Sequence, residues 1–329
     1  MSQGDPDNLP YFNPSEERRV CFITGGNSGI GYYTVLHLYL HGYIVYLGGR
    51  SRTRVETAIK SIKEEAISRR SKFSSKQLNG RFLGDLKFLE IDLLNLQSVN
   101  KAAIEFKSRE KQLHVIINNA GVMAQPYSKT MDNFEIQLQV NYVSHFLLTN
   151  KLLPLLEAND TITPRVVYLS SIGHWLCPIP VELGTQFDYR PNIIFTWFRY
   201  GLAKTAGIQF MKSLARSHPT ILCFAVHPGF VMNTNLFSHF TRLPLIGFMF
   251  WVFFQIFGYI FGVSNEQGSY STLKCVLSEE LTLENDNGKY FATLGVESEP
   301  SYVARSISHG DQNWAWTVAE LNKRGYSLN

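Results

Sequence analysis

Val20-Cys21-Phe22-Ile23-Thr24-Gly25-Gly26-Asn27-Ser28-Gly29-Ile30-Gly31 is a short apolar run that breaks into a glycine-rich turn. The run reads as a strand, and a helical pattern follows from about Gly29 to His41. Glycines at 25, 29 and 31 let the backbone turn sharply and approach a pyrophosphate closely. The following helix then aims its N-terminal N–H groups and its dipole at that phosphate. Asn27, Ser28 and Ile30 fall within the same cradle. A glycine cluster alone also makes ordinary turns; its position between a first strand and a first helix points to a dinucleotide.

The alternation continues downstream. Strands are expected at Tyr43–Leu47, Lys87–Ile91, Leu113–Asn118, Arg165–Leu169 and Ile221–Val226. Helices are expected at Thr53–Arg69, Leu96–Phe106, Asn133–Leu156 and Tyr200–Ser217. The strands are near-continuous apolar runs, as in a parallel sheet covered on both faces. Strict β/α alternation predicts an α/β, single-domain, doubly wound Rossmann fold. Residues 1–16 are polar and Pro-rich and read as a flexible tail, with no apolar run of a secretory signal. Residues 17–295 make the expected domain, 68–86 a polar surface insertion and 296–329 a C-terminal extension.

A hydrophobic fraction of 45% with 18% charged residues suits a chain with a sizeable core. The net charge of +4 is too mild to imply nucleic acid. The excess is local: Arg50 to Lys87 holds eleven Lys/Arg against four Asp/Glu. Such a stretch can meet a phosphate or an anionic membrane, or be a solvated face. Cys21, Cys177, Cys223 and Cys275 are far apart, so no metal is expected from their spacing, and a reducing compartment is inferred.

The second strand runs into Leu47-Gly48-Gly49-Arg50-Ser51-Arg52. NAD-selective sites place an acid here for the adenosine ribose. Cations stand there instead, as a 2′-phosphate requires. NADP(H) is therefore the expected cofactor, with Arg50 as its first partner and Arg52 as its second. Asp92 ends the third strand, where it either caps the next element or bonds the adenine. Asn118-Asn119-Ala120-Gly121 ends the fourth and suits a crevice floor.

TGxxxGxG, NNAG, a helical Asn, Ser, YxxxK and a PG turn occur here in the order of the short-chain dehydrogenase/reductase superfamily, which the chain resembles over about residues 17–295. Asn141-Tyr142-Val143-Ser144-His145-Phe146, Ser170-Ser171-Ile172-Gly173-His174, Val226-His227-Pro228-Gly229 and Gly288-Lys289-Tyr290-Phe291 resemble its retinol-dehydrogenase-like branch. Phe195–Tyr200, Val231–Phe237 and Phe261–Gly268 resemble fungal oxidoreductases associated with lipid droplets and vacuole morphology. The resemblance implies a proton relay through Asn141. It also implies nicotinamide contacts from Lys204, Pro228, Gly229, Val231 and Thr234. Asn233 stands where the family's pattern has Thr, which weakens that last contact. The family commonly forms dimers and tetramers, so a homodimer is open.

Tyr200 and Lys204 lie four residues apart and share a helix face. Carbonyl reduction needs a proton delivered as hydride arrives. A phenol supplies it, and a nearby ammonium should lower the phenol's pKa. Ser171 is placed to hydrogen-bond the substrate oxygen. The catalytic set is therefore Ser171, Tyr200, Lys204 and Asn141. His174 reads as a loop histidine and His227 as a packing or capping group. No GxSxG surrounds Ser171, which disfavours a hydrolase.

Leu243 to Val263 is 21 residues without a charge. Spanning a bilayer there would separate later elements from their own sheet. The segment is instead a buried lid or a part that lies on lipid, and its aromatic content favours lipid. Trp175, Phe187, Tyr189, Phe195, Trp197 and Phe198 add an aromatic loop between serine and tyrosine. The expected function is reduction or oxidation of a lipophilic substrate, retinoid-, sterol- or lipid-aldehyde-like. The expected place is a lipid droplet or the cytosolic face of an endomembrane. The competing reading is a lipid-surface scaffold with incidental turnover.

Overall fold

The strand expected at Val20–Thr24 forms with those bounds. It is β1, and the structure, a computed structural model, describes residues 5–185, 188–231 and 262–328. The other strands are β2 (Ile44–Gly49), β3 (Asp85–Glu90), β4 (Val115–Asn118), β5 (Arg165–Leu169), β6 (Leu222–Val226), β7 (Phe230–Val231), β8 (Gly262–Val263), β9 (Tyr290–Ala292) and β10 (Val296–Glu297). Eight of them form one sheet in the order β10-β9-β6-β5-β4-β1-β2-β3, while β7 and β8 pair separately. Every neighbour in the large sheet is parallel except β10, which is antiparallel to β9. The chain order reverses between β1 and β4, and a crevice opens beyond the carboxyl ends of strands at such a switch point.

Alternate residues of β1 enter opposite cores: Val20 and Phe22 on one face, Cys21 and Ile23 on the other. Helices α1 (Gly29–Leu40) and α2 (Arg52–Arg70) cover the second face. Helices α3 (Leu96–Arg109), α4 (Ser144–Glu157) and α5 (Asn192–Ser217) cover the first. Helix α6 (Asn265–Leu277) joins the α1 face, and α7 (Ile307–Lys323) the α5 face. This is the doubly wound α/β fold. Among the described residues, no helix is long and apolar enough to cross a membrane.

Several expected boundaries move. Helix α5 begins at Asn192, after Pro191, so Phe195, Trp197 and Phe198 ride on a helix and not in a loop. The helix expected from Asn133 starts later, because Asn133 adopts a left-handed φ of 62° and Glu135 caps the turn Ile136–Leu138. Residues Gln139–Val143 then form a π-turn before α4. The polar insertion at 68–86 is divided among the end of α2, a capped turn at Ser75–Leu78 and the start of β3.

The described residues of both expected appendages, 5–16 and 296–328, pack on the domain. In the reading of 1–16 as a tail, Phe12 had no partner; in the structure it is buried beneath the Arg19 guanidinium, 3.4 Å from its ring centroid, and edge-on to Tyr43. Its backbone N–H donates to the His41 carbonyl at 3.1 Å. At the other end, the boundary at 295 falls inside the β9–β10 hairpin. Helix α7 is pinned by Thr317 to Tyr142 (2.8 Å) and by Asn313 donating to Gln209 (2.7 Å), and Leu321 joins the core. The Leu243–Val263 segment, apart from β8, lies outside the described residues.

Packing of the N-terminal segment predicts that Phe12→Ala costs about 3 kcal/mol or more in urea denaturation; no change would restore the tail reading.

Candidate active site

The glycine turn closes against itself. A Cβ on Gly31 would sit 2.3 Å from the Gly25 carbonyl oxygen, so only glycine lets α1 start this close to the loop. Gly25 itself has a φ of +68°, which glycine adopts without strain. Gly29 and Ile30 open α1 and Ser28 stands at its N-cap. Thr24 Oγ1 accepts N–H bonds from Asn119 (3.1 Å) and Ala120 (3.0 Å), joining β1 to β4. Asn119 Nδ2 donates back to the carbonyls of Thr24 (2.8 Å) and Gly25 (3.1 Å). The Asn119 amide therefore shapes the loop.

A cavity of about 210 Å³ opens at this edge, lined by Gly25, Asn27, Arg50, Asp92, Ala120 and Gly121 among others. The two arginines separate here. Arg50 lines the cavity, while Arg52 pairs with Glu56 at 3.1 Å and lies 4.6 Å over the Phe88 ring. Asp92 borders the cavity and accepts the Leu94 N–H at 3.0 Å, while the next helix is capped by Asn95.

Strand β5 and helix α5 bring the candidate residues Ser171, Tyr200 and Lys204 together. Ser171 is two residues past β5 and caps the short turn Ile172–Leu176, accepting the Gly173 N–H at 3.1 Å. A Cβ on Gly173 would lie 2.5 Å from the Tyr200 ring, so the serine turn rests directly on the tyrosine. The quoted Ser170–His174 motif contains this glycine, but its packing against Tyr200 is not readable from the motif. His174 is buried and bonds the Ser171 carbonyl through Nδ1 at 2.6 Å, which pins the serine turn. His227 is buried and edge-on to Phe230.

Tyr200 is buried, and burial pushes its phenol up to about 12 against a smaller lowering by its hydrogen bond with Ser171. Lys204 is also buried, and burial brings its ammonium down to about 7. Its Nζ donates to the Leu169 carbonyl at 2.7 Å and lies 5.8 Å from the Tyr200 ring centroid. The phenol's shift is therefore upward and set by burial, where the sequence led to a downward one from the ammonium.

Asn141 sits in the π-turn, and its side-chain amide exchanges two 2.8 Å bonds with the backbone of Val122. Its own carbonyl accepts from Tyr168 Oη (2.9 Å) and meets His145 Nδ1 (3.1 Å). A Cβ on Gly121 would lie 3.0 Å from Asn141 Oδ1 and 3.5 Å from Lys204 Nζ, so these three groups converge. After β6, Pro228 and Gly229 turn the chain and Val231 is buried on β7. A Cβ on Gly268 of α6 would meet both Val231 and Ile30, which makes this corner a packed one. Thr234 lies outside the described residues.

A family model described as short chain dehydrogenase matches residues 19–175. The chain belongs to the short-chain dehydrogenase/reductase family, and is an oxidoreductase of that family. It is 35% identical over 332 residues to the short-chain dehydrogenase/reductase drtF of Aspergillus calidoustus, covering 96% of this chain and 98% of that one. It is 35% identical to mouse retinol dehydrogenase 12 over 83% of this chain and 77% of that one. Among solved structures, an uncharacterized protein from Mycobacterium Paratuberculosis superposes with a TM-score of 0.70 at 25% identity, over 96% of this chain and 97% of that one.

The burial of Lys204 has a pH signature. Below pH 7 the lysine is protonated in folded and unfolded chains alike, and the full burial penalty is present. Between about 7 and the ordinary 10.5 only the unfolded chain keeps the proton, so the penalty fades as pH rises. Lys204→Met should therefore stabilise the fold at pH 6 by on the order of a few kcal/mol, and by much less at pH 10. Urea denaturation at both pH values checks this; a loss of stability at pH 6 would contradict it.

Proposed function

We propose that this oxidoreductase transfers a hydride between NADP(H) and the carbonyl or alcohol of a lipophilic substrate reached from a lipid surface. One observation carries the reading: the phenol of Tyr200, the hydroxyl of Ser171 and the amine of Lys204 are gathered together, and Lys204 Nζ reaches Gly121 on the wall of the glycine-lined cavity. The glycine cradle fits a pyrophosphate, because a side chain at position 31 would fill it. Arg50 on the cavity wall, with no acid between Leu47 and Arg52, favours a 2′-phosphate. Arg52, drawn to Glu56 and Phe88, is the weaker candidate. When bound, NADP(H) supplies or takes the hydride.

The chain's own residues handle the proton. A phenol pushed up to about 12 is neutral at physiological pH, so Tyr200 Oη is a proton donor to an incoming carbonyl oxygen. Ser171 fixes that oxygen by hydrogen bonding. Lys204, poised near 7, takes up or releases a proton behind the tyrosine, with Asn141 at the end of the relay. Reduction is the direction this protonation state favours.

Large apolar side chains stand exposed around the serine turn and the start of α5: Ile172, Trp175 (57% exposed), Leu176, Ile179 (64%), Tyr189 and Ile194. An exposed apolar rim beside a reacting centre suits a greasy substrate and a lipid surface. The 243–263 segment is the second lipid contact in this reading, at a lipid droplet or the cytosolic face of an endomembrane. Similarity to a protein named retinol dehydrogenase points to the same substrate class.

NADPH and NADH oxidation should be compared across aldehydes and ketones of rising apolar length, with and without lipid vesicles. NADPH should be preferred and long apolar carbonyls should react best. Tyr200→Phe should lower kcat by about 10²–10⁴-fold with nucleotide binding kept, and Arg50→Gln should raise KM for NADPH alone. Bound nucleotide with no carbonyl turned over would favour the scaffold reading, and faster NADH use would overturn the cofactor assignment.

A further inference from the structure

His37 on α1 and His41 at its C-cap lie one helical turn apart. Both are buried, at 3% and 0% exposure. In each ring one nitrogen is held: His37 Nε2 lies 2.7 Å from Glu266 Oε1 on α6, and His41 Nδ1 lies 2.8 Å from the Pro10 carbonyl oxygen. The other nitrogens, His37 Nδ1 and His41 Nε2, are buried without a hydrogen-bond partner. Asp7, in the turn Pro6–Asn8, faces this pair. One ligand atom from each of Asp7, His37 and His41 lies within 4.8 Å of the others.

We propose that Asp7, His37 and His41 bind a divalent transition-metal ion, zinc above all, that clamps the N-terminal segment to α1. Two imidazole nitrogens and a carboxylate, with water in a fourth position, suit zinc. With Nδ1 held by the Pro10 carbonyl, the unpartnered Nε2 of His41 is the nitrogen left to meet a metal. A carboxylate and a backbone carbonyl already orient the two rings from behind, as the outer partners of metal-bound histidines do. Bonds of about 2.0–2.1 Å draw tetrahedral ligand atoms to about 3.4 Å from one another. Binding therefore draws the three ligand atoms closer than the 4.8 Å within which they lie.

An open cavity of about 490 Å³, lined by Asp7, Tyr11, His37, Arg69, Arg81 and Glu266 among others, provides the entry path. The site is at the opposite end of α1 from the glycine loop, about 18 Å away along the helix. Its role is therefore structural: the ion ties the segment carrying Phe12 to the helix that opens on the cavity wall.

The full-length chain should be stripped with chelator and titrated with Co²⁺ (visible absorption) and with Zn²⁺ (equilibrium dialysis and thermal melting). The expected result is one equivalent bound, with a raised Tm. Asp7→Asn, at the solvent end and harmless to folding, and His41→Gln should each weaken binding at least tenfold and remove the Tm rise. No stoichiometric binding, or an affinity unmoved by Asp7→Asn or by His41→Gln, overturns the assignment.

Discussion

The Thr24 hydroxyl holds the carboxyl edge of the sheet together. It accepts two backbone N–H bonds from Asn119 and Ala120, which uses both lone pairs, so its single proton goes to His145 Nε2 at 2.9 Å. His145 must then be the neutral tautomer with its proton on Nδ1, donating to the Asn141 carbonyl. Burial, helped by the Lys204 charge, brings His145 down to about 4, in agreement with that tautomer. Tyr168 of β5 donates to the same carbonyl, and also reaches the Ala203 carbonyl on α5 at 3.4 Å. One hydroxyl thus ties β1 and β4 to the π-turn, and through it to the strand and helix that carry Ser171 and Tyr200.

The same region buries Tyr200 and Lys204 and leaves Ser171 partly buried beside them. The turn at Ser171 rests on the Tyr200 ring because Gly173 has no side chain, and Lys204 is anchored by the Leu169 carbonyl of β5. Burial then sets the protonation states: it raises the phenol and lowers the ammonium, so both neutral forms are favoured.

Much of this was readable from the chain. The apolar strands, the glycine turn and the Tyr200/Lys204 spacing fix their own positions through local rules, and the structure places them accordingly. Three kinds of information were not local. The early start of α5 was hidden because Phe195, Trp197 and Phe198 look like loop aromatics, and the face that the first turns bury is carried by Thr196, Arg199 and Tyr200. Packing of residues 5–16 depends on Arg19, Tyr43 and His41, none of which announces Phe12 as a partner. The sign of the Tyr200 shift depends on depth of burial, which i to i+4 spacing does not specify. Thr24, His145 and Tyr168 sit inside or near the quoted motifs, but their joint role appears only when four elements converge.

The central claim is that hydride passes directly at a carbonyl held by Ser171 and Tyr200. Incubating the chain with a lipophilic ketone and NADPH deuterated at the nicotinamide C4, one face at a time, tests it most directly by mass spectrometry of the product. One labelled face should deliver deuterium to the carbinol carbon and the other should deliver none. Alcohol formed without deuterium from either face, or no alcohol from a chain that binds the nucleotide, would contradict the account.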